Sequence, residues 1–123
     1  MNYLSPQEIL YIHSRVVENL GGKHGSSDIV LLKKLTNYTH NTEIFPDKFS
    51  KAAALLFGIA KKKPFLDANL KTAVTVMQAF LEINKSTLDI TEDSFQKFIN
   101  QEFSKAKVED IRKFLVQSSK PLS

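Results

Sequence analysis

Apolar residues recur along most of this chain at helical spacing, in runs separated by short polar segments. Ile9, Leu10, His13, Val16, Val17 and Leu20 fall on one helical face. Ser5 stands before the run as a cap, Pro6 occupies a position where a missing N–H costs nothing, and Glu8 completes a capping box. Leu4 and Ile9 are spaced to staple that cap, and Gly21-Gly22 ends the helix. Tyr3 and Leu4 are expected to form a very short extended segment ahead of it.

Ser26-Ser27-Asp28 reads as the cap of a second helix that carries Ile29, Leu31, Leu32 and Leu35. Asn37 to Pro46 is polar and interrupted, and is expected to be a loop that serves as a flap. Asp47 caps a third helix that Ala52, Ala53, Leu55, Leu56, Ile59 and Ala60 make strongly apolar, the mark of a helix in the middle of a bundle. It ends at Lys61-Lys62-Lys63, ahead of Pro64. A fourth helix starts near Asn69 or Leu70 and turns Ala73, Val74, Met77, Phe80 and Leu81 inward. Leu88-Asp89-Ile90 is expected to be extended. Thr91 caps a helix with Phe95, Phe98, Ile99 and Phe103, and Val108 to Val116 forms the last.

The pattern predicts an all-α fold, a compact bundle of about six helices with a helix-loop-helix at its centre. Composition narrows this further. With 123 residues and no repeat or low-complexity linker, residues 1–123 are expected to form one domain. No run approaches the roughly 18 apolar residues of a membrane span, and the first residues lack the character of a signal peptide, so a cytoplasmic protein is expected. The absence of cysteine excludes thiol chemistry and disulfides, and His13, His24 and His40 have no metal-ligand spacing. The net charge of +4 is spread along the chain rather than gathered in a stripe, so nucleic acid is not expected as a partner.

The stretch from Lys63 to Ala73 carries the candidate chemistry. It joins two apolar helices, and the start of the second offers unpaired backbone N–H groups and a positive dipole end, which suit phosphate. Asp67 lies just outside and is a candidate magnesium ligand, while Asn69 and Lys71 can donate to phosphate oxygens. The plainer reading is structural, with Asp67 or Asn69 capping the helix and Phe65 plugging the core.

Pro64, Phe65, Asp67, Ala68, Asn69 and Thr72 coincide with a signature that reads His-Pro-Phe-x-Asp-Ala/Gly-Asn-Lys-Arg-Thr. Gly58-Ile59-Ala60-Lys61 resembles the run leading into it, and the segment from Gly21 to Asp28 resembles a glycine turn and acidic cap after the first helix. On these residues the chain resembles the Fic/Doc family, and within it the Doc (death-on-curing) toxin branch. The resemblance implies use of ATP and magnesium to move an AMP or phosphoryl group onto a protein hydroxyl. It assigns Asp67 to the metal, and Asn69, Lys71, Ala68 and Leu70 to the phosphate site. Pro64, Phe65 and Thr72 become structural parts of the motif. It also implies an antitoxin-like peptide or a target protein as partner.

The sequence departs from the signature at three positions. Lys63 stands where the family has its base histidine, and a lysine ammonium is protonated near neutral pH and accepts no proton. Leu70 replaces a lysine, and Lys71 replaces an arginine, keeping the charge but losing the planar fork. The expectation is a Doc-like protein with ATP and magnesium binding weakened or lost, lacking standard transfer and acting through protein binding. The alternative is a divergent ATP/Mg-dependent transferase in which Lys63 stabilises charge and positioning does the rest.

Overall fold

The computed structural model describes residues 1–26 and 28–122, so Ser27, read above as part of a helix cap, lies outside the described residues. Six helices follow in order: α1 (Pro6–Leu20), α2 (Ile29–Thr39), α3 (Lys48–Lys62), α4 (Asn69–Ile83), α5 (Glu92–Gln101) and α6 (Val108–Ser118). Two three-residue strands, β1 (Ser86–Leu88) and β2 (Ser119–Pro121), pair antiparallel with Thr87 opposite Lys120. The architecture is the expected all-α bundle with a very small sheet added at one edge. No described helix is long and apolar enough to cross a membrane.

The caps start the helices where the sequence predicts. Ser5 Oγ accepts from Glu8 N while Glu8 Oε1 accepts from Ser5 N. Asp28 Oδ1 accepts from Leu31 N, Asp47 Oδ1 from Ser50 N, and Thr91 Oγ1 from Ser94 N. Each satisfies an amide that the helix itself leaves without an acceptor. Asp47 also receives Arg112 Nη2 from α6 at 2.9 Å. Burial pushes the Asp47 carboxyl up, but bonds from Arg112 and Ser50 and the guanidinium charge outweigh it and hold the group below its ordinary value.

α3 is the central rod. Ten of its fifteen residues are buried, and it packs against α2, α4 and α6. Ala52 and Ala53 of α3 are small and fully buried, and they share one core with Ala73, Val76, Met77 and Phe80 of α4. Ile9 from α1, Leu32 from α2, and Ile111 and Leu115 from α6 complete this core. The fold therefore fixes both helices that flank the Lys63–Ala68 segment.

Four expectations shift. α2 runs on to Thr39, because Thr36 and Thr39 turn their hydroxyls onto backbone carbonyls of their own helix and bury there. The following turn, His40 to Pro46, is pinned by Phe45, 7% exposed, and stands at the opposite end of α3 from Pro64. With fifteen residues of helix between them, about 22 Å at 1.5 Å per residue, it cannot act as a flap over that loop. Tyr3 and Leu4 form no strand; Asn2 instead exchanges bonds with Asn84, and the Tyr3 ring lies 4.0 Å from that of His40. The extended segment lies at Ser86–Leu88 rather than 88–90, and α5 ends before Phe103, which sits in a 3-10 turn.

Lys51 on α3 is 1% exposed and donates to His40 O at 3.0 Å and Thr42 Oγ1 at 3.3 Å. The His40 imidazole lies below its ordinary value, first because burial disfavours the imidazolium and second because the Lys51 ammonium repels it. As pH falls, the unfolded chain takes up the histidine proton before the folded one does. This contribution to stability is whole above the ordinary histidine value of about 6.5 and is lost as pH drops through and below it. Denaturant titrations from pH 7.5 to 5 are expected to show that loss, and His40→Gln is expected to flatten the slope. An unchanged slope in the variant contradicts this assignment.

Candidate functional site

The loop between α3 and α4 is bracketed by two non-glycine residues in left-handed backbone. Lys63 closes α3 at φ 53°, and Ala68 opens α4 at φ 58°. A side chain in this region costs of order 1–3 kcal/mol and persists only where the surroundings hold it. Here they do, from three directions.

The first is the segment after α1. Pro64 O accepts from Ser26 Oγ at 2.8 Å and from Asp28 N at 3.2 Å, and Leu66 N donates to Gly25 O at 3.2 Å. Ser26 and Phe65 thereby form an isolated antiparallel bridge. Lys23 N donates to Asp67 Oδ2 at 3.3 Å. Gly22 has φ 117°, a backbone that favours glycine, and a Cβ there would press on Asp67 Oδ2 at 3.1 Å, so that the Asp67 side chain would have to give way. The segment lying against the loop is thus residues 22–26.

The second is Asn69, in the first turn of α4. Its Oδ1 accepts from Phe65 N at 3.0 Å and its Nδ2 donates to Phe65 O at 3.1 Å, a two-bond clamp on one residue. The third is α1. His13, 2% exposed, stacks on the ring of Phe65 at 4.0 Å between centroids and 5° between planes. Its Nε2 lies 2.9 Å from Asp67 O.

What the clamps leave open is the end of α4. No side chain caps it, and its ladder begins with Thr72 N to Ala68 O. The amides of Asn69, Leu70 and Lys71 thus have no helical acceptor and carry the positive end of the helix dipole. Asp67 is exposed, with Oδ1 accepting from Ala68 N at 2.8 Å. Leu66 is 56% exposed, and Leu70 and Lys71 are exposed as well. Leu70 and Lys71 line a groove of about 400 Å³ together with Val74, Leu88, Phe95 and Ile99. Thr72 turns into the protein, and its hydroxyl is buried without a partner among the described residues.

The fold thus brings Lys63, Pro64, Phe65, Asp67, Ala68, Asn69, Leu70, Lys71 and Thr72 into one loop and one helical turn. The side chains divide by task. Those of Phe65, Asn69 and Thr72 face the protein, whereas Asp67, Leu70 and Lys71 face outward. Sequence reasoning placed His13 on the apolar face of α1 without assigning it to the loop. The only signal was a polar ring at an inward position.

Asn69→Ala removes both bonds to Phe65 and leaves a part-buried amide unpaired. A loss of about 1–3 kcal/mol is expected from denaturant unfolding. A loss under about 0.5 kcal/mol would mean that the clamp does not hold the loop.

Comparison with curated proteins returns no match. The Fic/DOC family model matches residues 3–81, which takes in α1, the segment from Gly21 to Asp28, α2, α3, the loop and most of α4. That is well over half of the chain and includes His13, Gly25, Ser26, Asp28 and Asn69, which hold the Pro64–Ala68 loop. The chain belongs to the Fic/Doc family.

Proposed function

We propose that this chain is a Doc-type member that holds phosphate groups of a nucleotide at the start of α4, has lost transfer through a base at the position before Pro64, and acts by binding protein. The observation that carries the reading is the pairing of a lysine at that position with an uncapped first turn of α4, whose amides have no helical acceptor. Lys63 ends α3 in a left-handed turn, immediately before the held loop. An ammonium there stabilises negative charge but takes no proton from a hydroxyl. Loss of a general base typically costs about 10²–10⁴ in rate.

The outward residues fit magnesium only in company with phosphates. The described residues include no group of three His, Asp or Glu side chains able to hold a metal. Asp67 supplies one exposed carboxylate, whose oxygens each already accept one backbone amide and retain further lone pairs. This suits an ion that keeps most of its ligands as water and phosphate oxygen. Magnesium, when bound with a nucleotide, would neutralise phosphate charge. Asp67 would hold it, while the first-turn amides of α4 and the Lys71 ammonium would hold the phosphate oxygens. Leu70, in place of a cation, weakens that grip. The side chain of Asn69 serves the loop, so its part toward phosphate is through the backbone.

Leu66 and Leu70 support the protein-binding half of the proposal. Both are exposed apolar residues at the loop, and Leu70 also lines a groove in which Val74, Leu88, Phe95 and Ile99 stand among Gln78, Glu82, Glu92 and Gln96. Exposed apolar side chains set among polar ones are the surface expected for an antitoxin-like peptide or a former target protein.

Calorimetric titration with ATP and magnesium is expected to give weak, saturable binding that Asp67→Ala abolishes and Lys63→His retains. Radiolabel from either end of the triphosphate is expected to reach no protein with the wild-type chain. Label transfer that disappears in Asp67→Ala would overturn the loss of activity and favour a divergent transferase. No binding would remove the nucleotide from the proposal.

A further inference from the structure

We propose that His13 is the positioning residue of the site. It fixes the Asp67–Ala68 peptide, and with it the direction in which the first-turn amides of α4 point. The inference rests on the phosphate-site reading above, and its test is chosen to separate the two.

The buried positions beside His13 on α1 are Ile9, Val16 and Val17, all apolar. An imidazole 2% exposed among them is costly unless its polar atoms are bonded, and a leucine would fill the position without that cost. The bond it makes is to a backbone carbonyl, Asp67 O, 54 residues away. Because a carbonyl oxygen can only accept, Nε2 carries the proton. The same ring lies flat on Phe65, so His13 grips the loop on both sides of Leu66.

The consequence concerns charge. The Asp67 carbonyl immediately precedes the turn into α4, where its negative end would repel an arriving phosphate if it faced outward. The bond to His13 turns it inward. With that oxygen held, the peptide plane is fixed, and Ala68 takes the left-handed conformation from which Asn69, Leu70 and Lys71 start the helix. A left-handed alanine relaxes unless something holds it, and His13 supplies the hold on the Asp67 side while Asn69 supplies it on the Phe65 side. His13 does not replace the missing base. Its Nε2 is occupied by Asp67 O, and the ring is closed off from any substrate hydroxyl.

The test compares His13→Phe, which keeps a flat apolar ring without a donor, with His13→Gln, whose amide reaches the place of Nε2. Two readouts are taken on each folded protein. One is the set of backbone amide resonances from Leu66 to Lys71 in the absence of ligand, and the other is affinity for ATP with magnesium. His13→Phe is expected to shift those resonances and weaken binding about tenfold, the scale of one lost positioning bond. His13→Gln is expected to recover most of both. Unchanged amides and affinity in a folded His13→Phe overturn the proposal, as does a His13→Gln that recovers neither. If the wild type binds no nucleotide, the phosphate-site reading fails, and the ligand-free amides still decide the role of His13. Should His13→Phe not fold, the wild type itself gives the answer. A slowly exchanging Nε2 proton close to Asp67 and Ala68 supports the proposal, and a freely exchanging one overturns it.

Discussion

The turn from Pro64 to Ala68 is held by Asn69 close by and by groups on α1 and after it that lie far away in sequence, and its shape depends on them. Pro64 O and Leu66 N bond to the segment after α1, the Phe65 amide group to Asn69, and Asp67 O to His13. Two left-handed residues without glycine's freedom bracket the turn, and a free chain would not keep them so. Packing of α3 against α4 sets the ends of the loop, and α1 with residues 22–26 sets its interior. The uncapped start of α4 is the product of this arrangement: the bonding capacity of the loop is directed inward, and the amides of the first helical turn are left over.

That division explains how the site tolerates its substitutions. Leu70 and Lys71 face outward, where a change alters charge without disturbing packing. Phe65, Asn69 and Thr72 face inward and match the family signature, as residues with structural partners would. The position of Lys63 ends a helix in a left-handed turn, a constraint of backbone rather than of side-chain chemistry. Lys63 adopts this conformation without glycine or histidine at the position. The fold can therefore accept a lysine at this point while the loop and the start of α4 stay in place.

Much of the fold was legible because its signals are local. Ser5 with Glu8, Asp28, Asp47 and Thr91 begin their helices where a capping residue precedes an apolar period, and each cap is satisfied within three residues. What was not legible depends on distant partners. Nothing near Ser86 announces that it pairs with Pro121, and nothing near His13 announces Asp67. Of the expected Asn37–Pro46 loop, residues 40–46 are non-helical as read, but Asn37 to Thr39 prolong α2, because Thr36 and Thr39 satisfy their hydroxyls within the helix and bury them. The residues of the site were legible as a string, but the string does not reveal which side chains face inward. That distinction separates the clamp role of Asn69 from a direct contact with phosphate.

The proposed anion site consists of the open amides of α4 and not of the lysines scattered over the surface. A titration of the isotopically labelled protein with pyrophosphate, followed through its backbone amide resonances, tests this most directly. The account predicts saturable shifts largest at Asn69, Leu70 and Lys71, with α2, α5 and α6 unmoved. Small shifts spread over surface lysines, or none at the start of α4, would contradict it.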